Sequence, residues 1–528
     1  MELQKMIYKI RTNAKMSQEQ FAALFKVSRQ SVQKWESGTV IPELSKIIEI
    51  SKHFDVSLDA LILNHDNRFV EEMNYNKKLV PLYTNVPDGE FYTSAMLTEY
   101  QQSIDEGLDI EVYKDIFSVA ARLPKNEIKK KIGDVLFEIV INAKQKEEYQ
   151  YIEPSDLSSI KSLRHTHSLA VHVDEKSLKD KIHGAWMGRI CGCMLGKPIE
   201  GIKTEELVPF LKESNNYPMH RYIYKSDIND ETSSKYNFPL ATREFADEID
   251  GMPVDDDTNY VVLAQIIIDK YGKDFTPCDV SQIWLNYQTK DSYCTAEKVA
   301  FRNFINGYAP PQSAIYKNPY REWIGAQIRG DYFGYINPGN PEAAAEMAWR
   351  DASISHVKNG IYGEMYVAAM IAAAAVTNNI EDIILCGLAE IPHTSRLYES
   401  IISIIDDYKN GLSQKECFDK IHCKYDEHSM HGWCHTISNA MIVTASLLYG
   451  NGSFDKSICT AVETGFDTDC NGATVGSILG MANGITSISE KWTKPINDTL
   501  HTSIFGVGSV KISDRVDLTL KHIKDISK

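Results

Sequence analysis

Asn471–Ile485 reads NGATVGSILGMANGI, and Gly360–Val376 reads GIYGEMYVAAMIAAAAV. Neither stretch alternates with period two. Both carry glycine and alanine on helix faces, where small residues let a neighbouring helix approach closely. Small-residue helical sequence of this kind runs from Lys181 to about Gly484, so the fold class expected there is all-α, a bundle of largely buried helices.

The chain has 528 residues, which exceeds one ordinary core and predicts about two to four folding units. Hydrophobic residues make up 43% and charged residues 24%, the balance of packed globular protein and not of disordered or fibrous sequence. No apolar run approaches the ~20 residues that cross a bilayer, and the N-terminus is charged where a signal peptide would be apolar. A cytoplasmic protein with no membrane partner is expected. The ten cysteines lack zinc-module spacing and predict reduced, mostly buried thiols, Cys191 and Cys193 included.

The formal net charge of −16 excludes a protein that coats nucleic acid along its whole length, but allows one small DNA-reading module. Residues 1–60 hold a local basic excess in Lys5, Lys9, Arg11, Lys15, Lys26, Arg29, Lys34, Lys46 and Lys52. There Ser17 with Gln20 reads as a reciprocal helix cap, followed by a buried face of Phe21, Ala22 and Leu24. Ser28 starts a second helix whose inward residues are Val32 and Trp35. Pro42 opens a further helix with Leu44, Ile47, Ile48 and Ile50, and Ser57 caps a last one with Leu58, Leu61 and Ile62.

Five short helices in about 62 residues form a compact all-α module. The run MSQEQFAALFKVSRQSVQKWESGTVIPELSKIIEISKHFDVSLDAL resembles the Cro/C1-type (XRE) helix-turn-helix family over residues 2–63. The resemblance implies double-stranded DNA as partner, with Arg29, Gln30, Gln33 and Lys34 on the helix that enters the major groove. Arg29 suits guanine and Gln30 suits adenine, while Gln18 at a helix start suits phosphate. It also implies a homodimer on a palindromic operator. The alternative is a solvated helical face used for protein contacts.

From Asn67 to Lys161 no motif carries chemistry. Patterning between Ile110 and Ile141 predicts a small helical unit, with a break at the polar run Lys144 to Tyr149. A spacer or dimerisation role is the expectation.

Two acidic clusters stand further on. Asp255, Asp256, Asp257 and Thr258 precede the apolar run Val261, Val262, Ala264, Ile267 and Ile268, which puts three carboxylates at the start of a buried helix. One Asp there is a cap; three in a row repel unless a cation or solvent offsets them. Gly465–Gly472, GFDTDCNG, repeats the arrangement before another small-residue helix, and hard divalent cations take such oxygens. Each cluster alone is explained as often by capping.

Together with Glu200, which closes GRICGCMLGKPIEG, these blocks resemble the ADP-ribosylglycohydrolase family in kind and in order, over residues 178–510. The resemblance implies two Mg2+ ions, with Mn2+ as the other choice, held by Asp256, Asp257 and Thr258 and by Asp467 and Asp469, with Asp255 as a further ligand. It implies Glu200 beside the reacting carbon and its water, and Asp257 and Asp469 setting metal geometry. Asp351, His356, Gly360 and Tyr362, in WRDASISHVKNGIYGE, match a segment near the substrate pocket. Cys193 stands where many members have Asp, and Cys470 where many have Thr; Asn471 is a substitute ligand there. The family's N-G-x-x-M-R element is absent, and Ile328–Glu342, IRGDYFGYINPGNPE, occupies its place.

His428, His431 and His435 have zinc-like spacing, but no glutamate lies between them in the metalloprotease pattern, and Trp433 and Asn439 read as pocket lining. His435 is carried as a substrate contact. The domains expected are 1–65, the DNA-binding module; 66–170, a helical linker or spacer; and 171–528, the hydrolase-like domain. Two functions compete: a hydrolase that removes ADP-ribose or a related ribosyl group from protein, nucleic acid or small molecule, and a transcriptional regulator that senses ADP-ribose or an NAD-derived metabolite with little turnover. A crystallin-like structural relative is a third.

Overall fold

The computed structural model describes residues 3–56, 58–63, 81–236 and 243–526. The chain divides into two compact units, Met1–Pro81 and Leu82–Lys528. No helix among the described residues is long and apolar enough to cross a membrane.

The first unit holds five helices: α1 (Leu3–Asn13), α2 (Gln18–Leu24), α3 (Arg29–Glu36), α4 (Leu44–Phe54) and α5 (Leu58–Leu63). The Ser17 side chain accepts from the Gln20 amide while Gln20 reaches back to the Ser17 N–H, and Ser28 accepts from Ser31 N–H. These caps fix the two helix starts of the tight turn. Phe21, Ala22, Phe25, Val32, Trp35, Ile47 and Ile50 form the core. Leu24, expected inside, is 37% exposed, because the helix ends there and Phe25 turns in instead. Pro42 lies before α4, whose first residue is Leu44, itself exposed. Ser57, read as a cap, lies outside the described residues.

Among the described residues the second unit is helical apart from one short antiparallel hairpin, Thr499–His501 with Ser509–Lys511. Its centre is built from helices buried on nearly every face. In Lys358–Ala374 every residue from Asn359 onward is buried, and in Thr468–Asn483 every residue to Ala482. Such helices need neighbours without bulk. The Glu175–Gly196 helix supplies Gly184, Gly188 and Gly192 against Gly480, Gly476 and Gly472 of Thr468–Asn483, and at each pair a β-carbon would lie between 1.9 and 2.4 Å from the facing carbonyl oxygen. A β-carbon on Gly196 would meet Asp469 N at 2.3 Å. This run of backbone contacts sets the end of one helix against the acidic turn that starts the other.

Helices Met96–Asp105, Lys114–Arg122 and Glu127–Asn142 carry a small core of their own, with Met96, Ile110, Phe117 and Leu136 in it. They are fastened within the same unit by buried charge. Arg321 donates to Glu99 at 2.7 Å and to Glu106 at 2.6 Å, and Lys358 reaches Glu106 at 2.6 Å. Buried ions of this kind persist only when paired and hydrogen-bonded.

Candidate active site

Asp255 is the N-cap of the Asp256–Tyr271 helix, accepting from the Asp257 N–H at 2.9 Å. Its other oxygen accepts from Lys197 Nζ at 3.0 Å. Thr258 Oγ1 donates to the Asp255 carbonyl at 3.1 Å and is buried. Asp467 is the N-cap residue of Thr468–Asn483, set by a sharp turn in which buried Phe466 takes φ 56°. The Thr468 hydroxyl donates to the Gly196 carbonyl at 3.0 Å, tying this turn to the end of the glycine-lined helix.

Arg189, in the middle of that helix and 1% exposed, holds the first of these two starts. It donates to the Asp257 carbonyl and to Asp257 Oδ1, both at 2.8 Å, and pairs with Asp331 at 2.9 Å. The Cys470 thiol donates to Asp257 Oδ2 at 3.2 Å.

The structure brings ligand atoms of Cys193, Asp255, Asp257 and Asp469 within 4.8 Å of one another, and those of Asp467, Asp469 and Cys470 likewise. All six residues are buried. Asp469, common to both groups, has Oδ1 buried without a hydrogen-bond partner among the described residues. Asp256, half-buried, stays outside both groups but within electrostatic reach of Asp255, Asp469 and Glu297.

Burial, then Asp255 and Asp256, pushes the Glu200 carboxyl up to about 7. Burial, then Asp255 and Asp469, pushes Asp256 up to about 8. Asp467 and Asp469 are raised well above the usual carboxylate range, by burial first, then for Asp467 by Asp469 and Glu200 and for Asp469 by Glu200 and Asp255. Among the described residues six carboxylates, Asp255, Asp256, Asp257, Asp467, Asp469 and Glu200, gather with three nearby cations, Arg189, Lys197 and Arg243, and divalent cations answer that excess of negative charge. The oxygens fit such ions. The two thiols do not fit an all-oxygen magnesium set. Asn471 donates to Asn439 at 2.8 Å and leaves its own carbonyl oxygen unpartnered among the described residues.

The other expected contacts lie outside these two groups. Asp351 is taken up by Arg329, His356 Nδ1 by Ser355 at 2.8 Å, and the Tyr362 hydroxyl by the Pro154 carbonyl. Gly360 packs on the Arg321 carbonyl, 2.7 Å from where its β-carbon would be. His428 turns away to Glu205 at 3.2 Å, so the three histidines do not assemble. His431 and His435 do gather with Asp105. His431 Nδ1 accepts the Trp323 indole N–H and His435 Nδ1 the Ile437 N–H, each at 3.1 Å. His431 Nε2 lies 2.8 Å from Asp105, while His435 Nε2 stands 3.7 Å from Glu322, beyond hydrogen-bond distance and without a partner among the described residues.

Sequence reading passed over Arg189, Lys197, Arg329 and Asp331. A charged residue inside an otherwise small and apolar helix, as in GRICGC, is the signal for Arg189. Ile328–Glu342 supplies two of the four: Arg329 pairs with Glu297 at 3.0 Å and with Asp351, and Asp331 with Arg189. Exposed Cys294 lies within electrostatic reach of Asp256, Glu297 and Glu200. Lys203 Nζ stands 5.3 Å from the Trp433 ring.

In the first unit Arg29, Gln30, Gln33 and Lys34 share the exposed side of α3, opposite buried Val32 and Trp35. Arg29 pairs with Glu19 at 2.8 Å, and Gln18 donates to Glu36 at 2.8 Å.

The ADP-ribosylglycohydrolase family model matches residues 174–518, and a helix-turn-helix model matches residues 7–61. The HTH-type transcriptional activator BcrR of Enterococcus faecalis is 31% identical over 86 residues, 16% of this chain and 42% of BcrR, so the chain spans less than half the length of that relative. An uncharacterized protein of Archaeoglobus fulgidus is 21% identical over 327 residues, 61% of this chain and 93% of its own. An ADP-ribosylglycohydrolase-related protein complex of known structure aligns with a TM-score of 0.44 and 14% identity, over 67% of this chain and 100% of the other.

Proposed function

Because this chain belongs to the ADP-ribosylglycohydrolase family and carries a helix-turn-helix module, we propose that it hydrolyses a glycosidic bond to ADP-ribose or a related ribosyl group with the help of divalent cations, and binds DNA through its N-terminal unit. One observation carries the reading: two acidic helix starts, Asp255 to Asp257 and Asp467 to Asp469, converge on one buried point where Asp469 Oδ1 has no partner among the described residues.

Asp255, Asp257, Asp467 and Asp469 would hold the ions, with Asp256 and Thr258 beside them. When bound, such ions orient the ribose hydroxyls and make a bound water more acidic. The chain's own groups supply the rest. Hydrolysis at the sugar carbon passes through an oxocarbenium-like state, so it needs a base for the attacking water or an acid for the leaving group. Glu200, poised at about 7, exchanges a proton near neutral pH and suits either task. Arg243 donates to the Glu200 carbonyl at 2.6 Å and to the Lys197 carbonyl at 3.0 Å, fixing the turn that presents this carboxyl. Arg189 and Lys197 hold Asp257 and Asp255 in place.

At the other end, Arg29 and Gln30 would read bases, with Gln33, Lys34 and Gln18 on the phosphate backbone of a palindromic site bound by a homodimer. The domain division proposed is a DNA-reading module over 1–65, a hydrolase over 171–528, and the helices between them as its attachment.

The test is release of free ADP-ribose by purified protein from arginine-, serine-, acetyl- and nucleic-acid-linked conjugates. Release from one of them names the bond. Binding of ADP-ribose without release moves the reading to a metabolite-sensing regulator.

A further inference from the structure

We propose that the metal centre of this chain is a mixed oxygen and thiolate site, with Cys193 and Cys470 as ligands, that selects a borderline transition metal such as zinc over magnesium. The inference rests on the reading that the carboxylates hold metal, and it changes which ion they hold.

Each of the two groups, Cys193 with Asp255, Asp257 and Asp469, and Cys470 with Asp467 and Asp469, has its ligand atoms within 4.8 Å of one another. Opposite ligands of one ion stand at most about two bond lengths apart, ~4.6 Å for zinc and sulfur. The 4.8 Å limit of both groups exceeds that span by only about 0.2 Å, so a small inward movement of side chains brings either group onto a single ion, and each contains one sulfur. Asp469 belongs to both, and its Oδ1 is buried, unpartnered among the described residues and 4% exposed overall, as a carboxylate waiting for a ligand would be.

Magnesium demands oxygen in a near-ideal octahedron, whereas thiolate favours softer ions of the zinc kind. A buried cysteine is most often an inert small hydrophobe. Cys193 and Cys470 differ in their surroundings, which are carboxylates. The Cys470 thiol donates to Asp257 Oδ2 at 3.2 Å, which holds its sulfur against the carboxylates; on metal binding the thiol proton would leave to solvent. Cys191, two residues from Cys193 on the same helix, donates instead to the Trp492 carbonyl at 3.4 Å and serves as the internal control.

The experiment loads the metal-free full chain with Co2+ and records its absorption, then measures bound metal after equilibration with equal Mg2+ and Zn2+. We expect a thiolate-to-cobalt charge-transfer band in the wild type and in Cys191→Ser, and its loss in the Cys193→Ser/Cys470→Ser double variant. The zinc-over-magnesium preference should fall in the double variant by more than about 100-fold, beyond what loss of an outer partner costs. Cobalt bound without the band, or a band and preference unchanged in the double variant, overturns the proposal while leaving the metal-site reading intact. No cobalt, zinc or magnesium bound at all overturns both. The wild-type spectrum decides even if the double variant does not fold.

Discussion

Gly188 and Gly476 meet backbone to backbone, so that a β-carbon built on either lies 2.1 Å from the other's carbonyl oxygen. Two helices can touch in this way only where neither has a side chain, and the contact lies on the line that ends at Gly196 and Asp469. Gly188→Ala should therefore destabilise the protein by about 1–3 kcal/mol, the usual cost of overpacking, and weaken metal binding with it. Thermal melts and metal titration of the variant check this. An unchanged melting temperature contradicts the ladder as the element that sets the site.

Removing Arg321 leaves Glu99 and Glu106 buried without their shared cation, although Lys358 still reaches Glu106. Arg321→Ala should cost about 3–5 kcal/mol, read as earlier unfolding in denaturant and faster proteolysis within residues 91–142. A variant as stable as the parent contradicts the buried-charge attachment.

The metal-free protein should lose stability as pH rises. Glu200 is pushed up to about 7 from 4.5, and Asp256 up to about 8 from 3.8. The folded state thus holds more protons than the unfolded chain from about pH 4 to about pH 8. The contribution of these groups is full below the lower limit and is lost as pH passes the upper one. The rise in melting temperature on adding a divalent cation should grow from about pH 5 to about pH 8. A gain that is flat or shrinks over that range contradicts the assignment.

Arg29 lies on the open side of α3, in an exposed pair with Glu19. Arg29→Ala should weaken binding to a specific operator by about 1–3 kcal/mol and relax its specificity, with melting temperature and hydrolysis unchanged. Equal operator affinity removes Arg29 from the reading set. The check is a binding titration at fixed salt.

Much of this was legible in sequence because it is local. Ser17 and Ser28 cap helices within their own turns, and Asp255 to Asp257 and Asp467 to Asp469 mark helix starts because apolar or small-residue runs come directly after them. Pairings across the chain were not legible. Arg189 finds Asp257 and Asp331, Arg329 finds Glu297 and Asp351, and Arg321 finds Glu99 and Glu106 across separations that no local pattern encodes. Gly188 and Gly476 each read as a small residue on a helix face; only the fold makes them partners. Leu24 and Leu44 look apolar and inward by type, yet lie exposed, because the short helices of the first unit end or begin at those residues.

The most direct test is cation-dependent release of ADP-ribose by the wild-type chain beside Asp469→Asn, which keeps the shape of that side chain and removes its charge. Release from at least one conjugate should stop with a chelator, return with a divalent cation, and fall by more than about 100-fold in Asp469→Asn with the fold intact. Undiminished release by Asp469→Asn, or release that survives the chelator, would contradict a carboxylate-held metal as the centre of the chemistry.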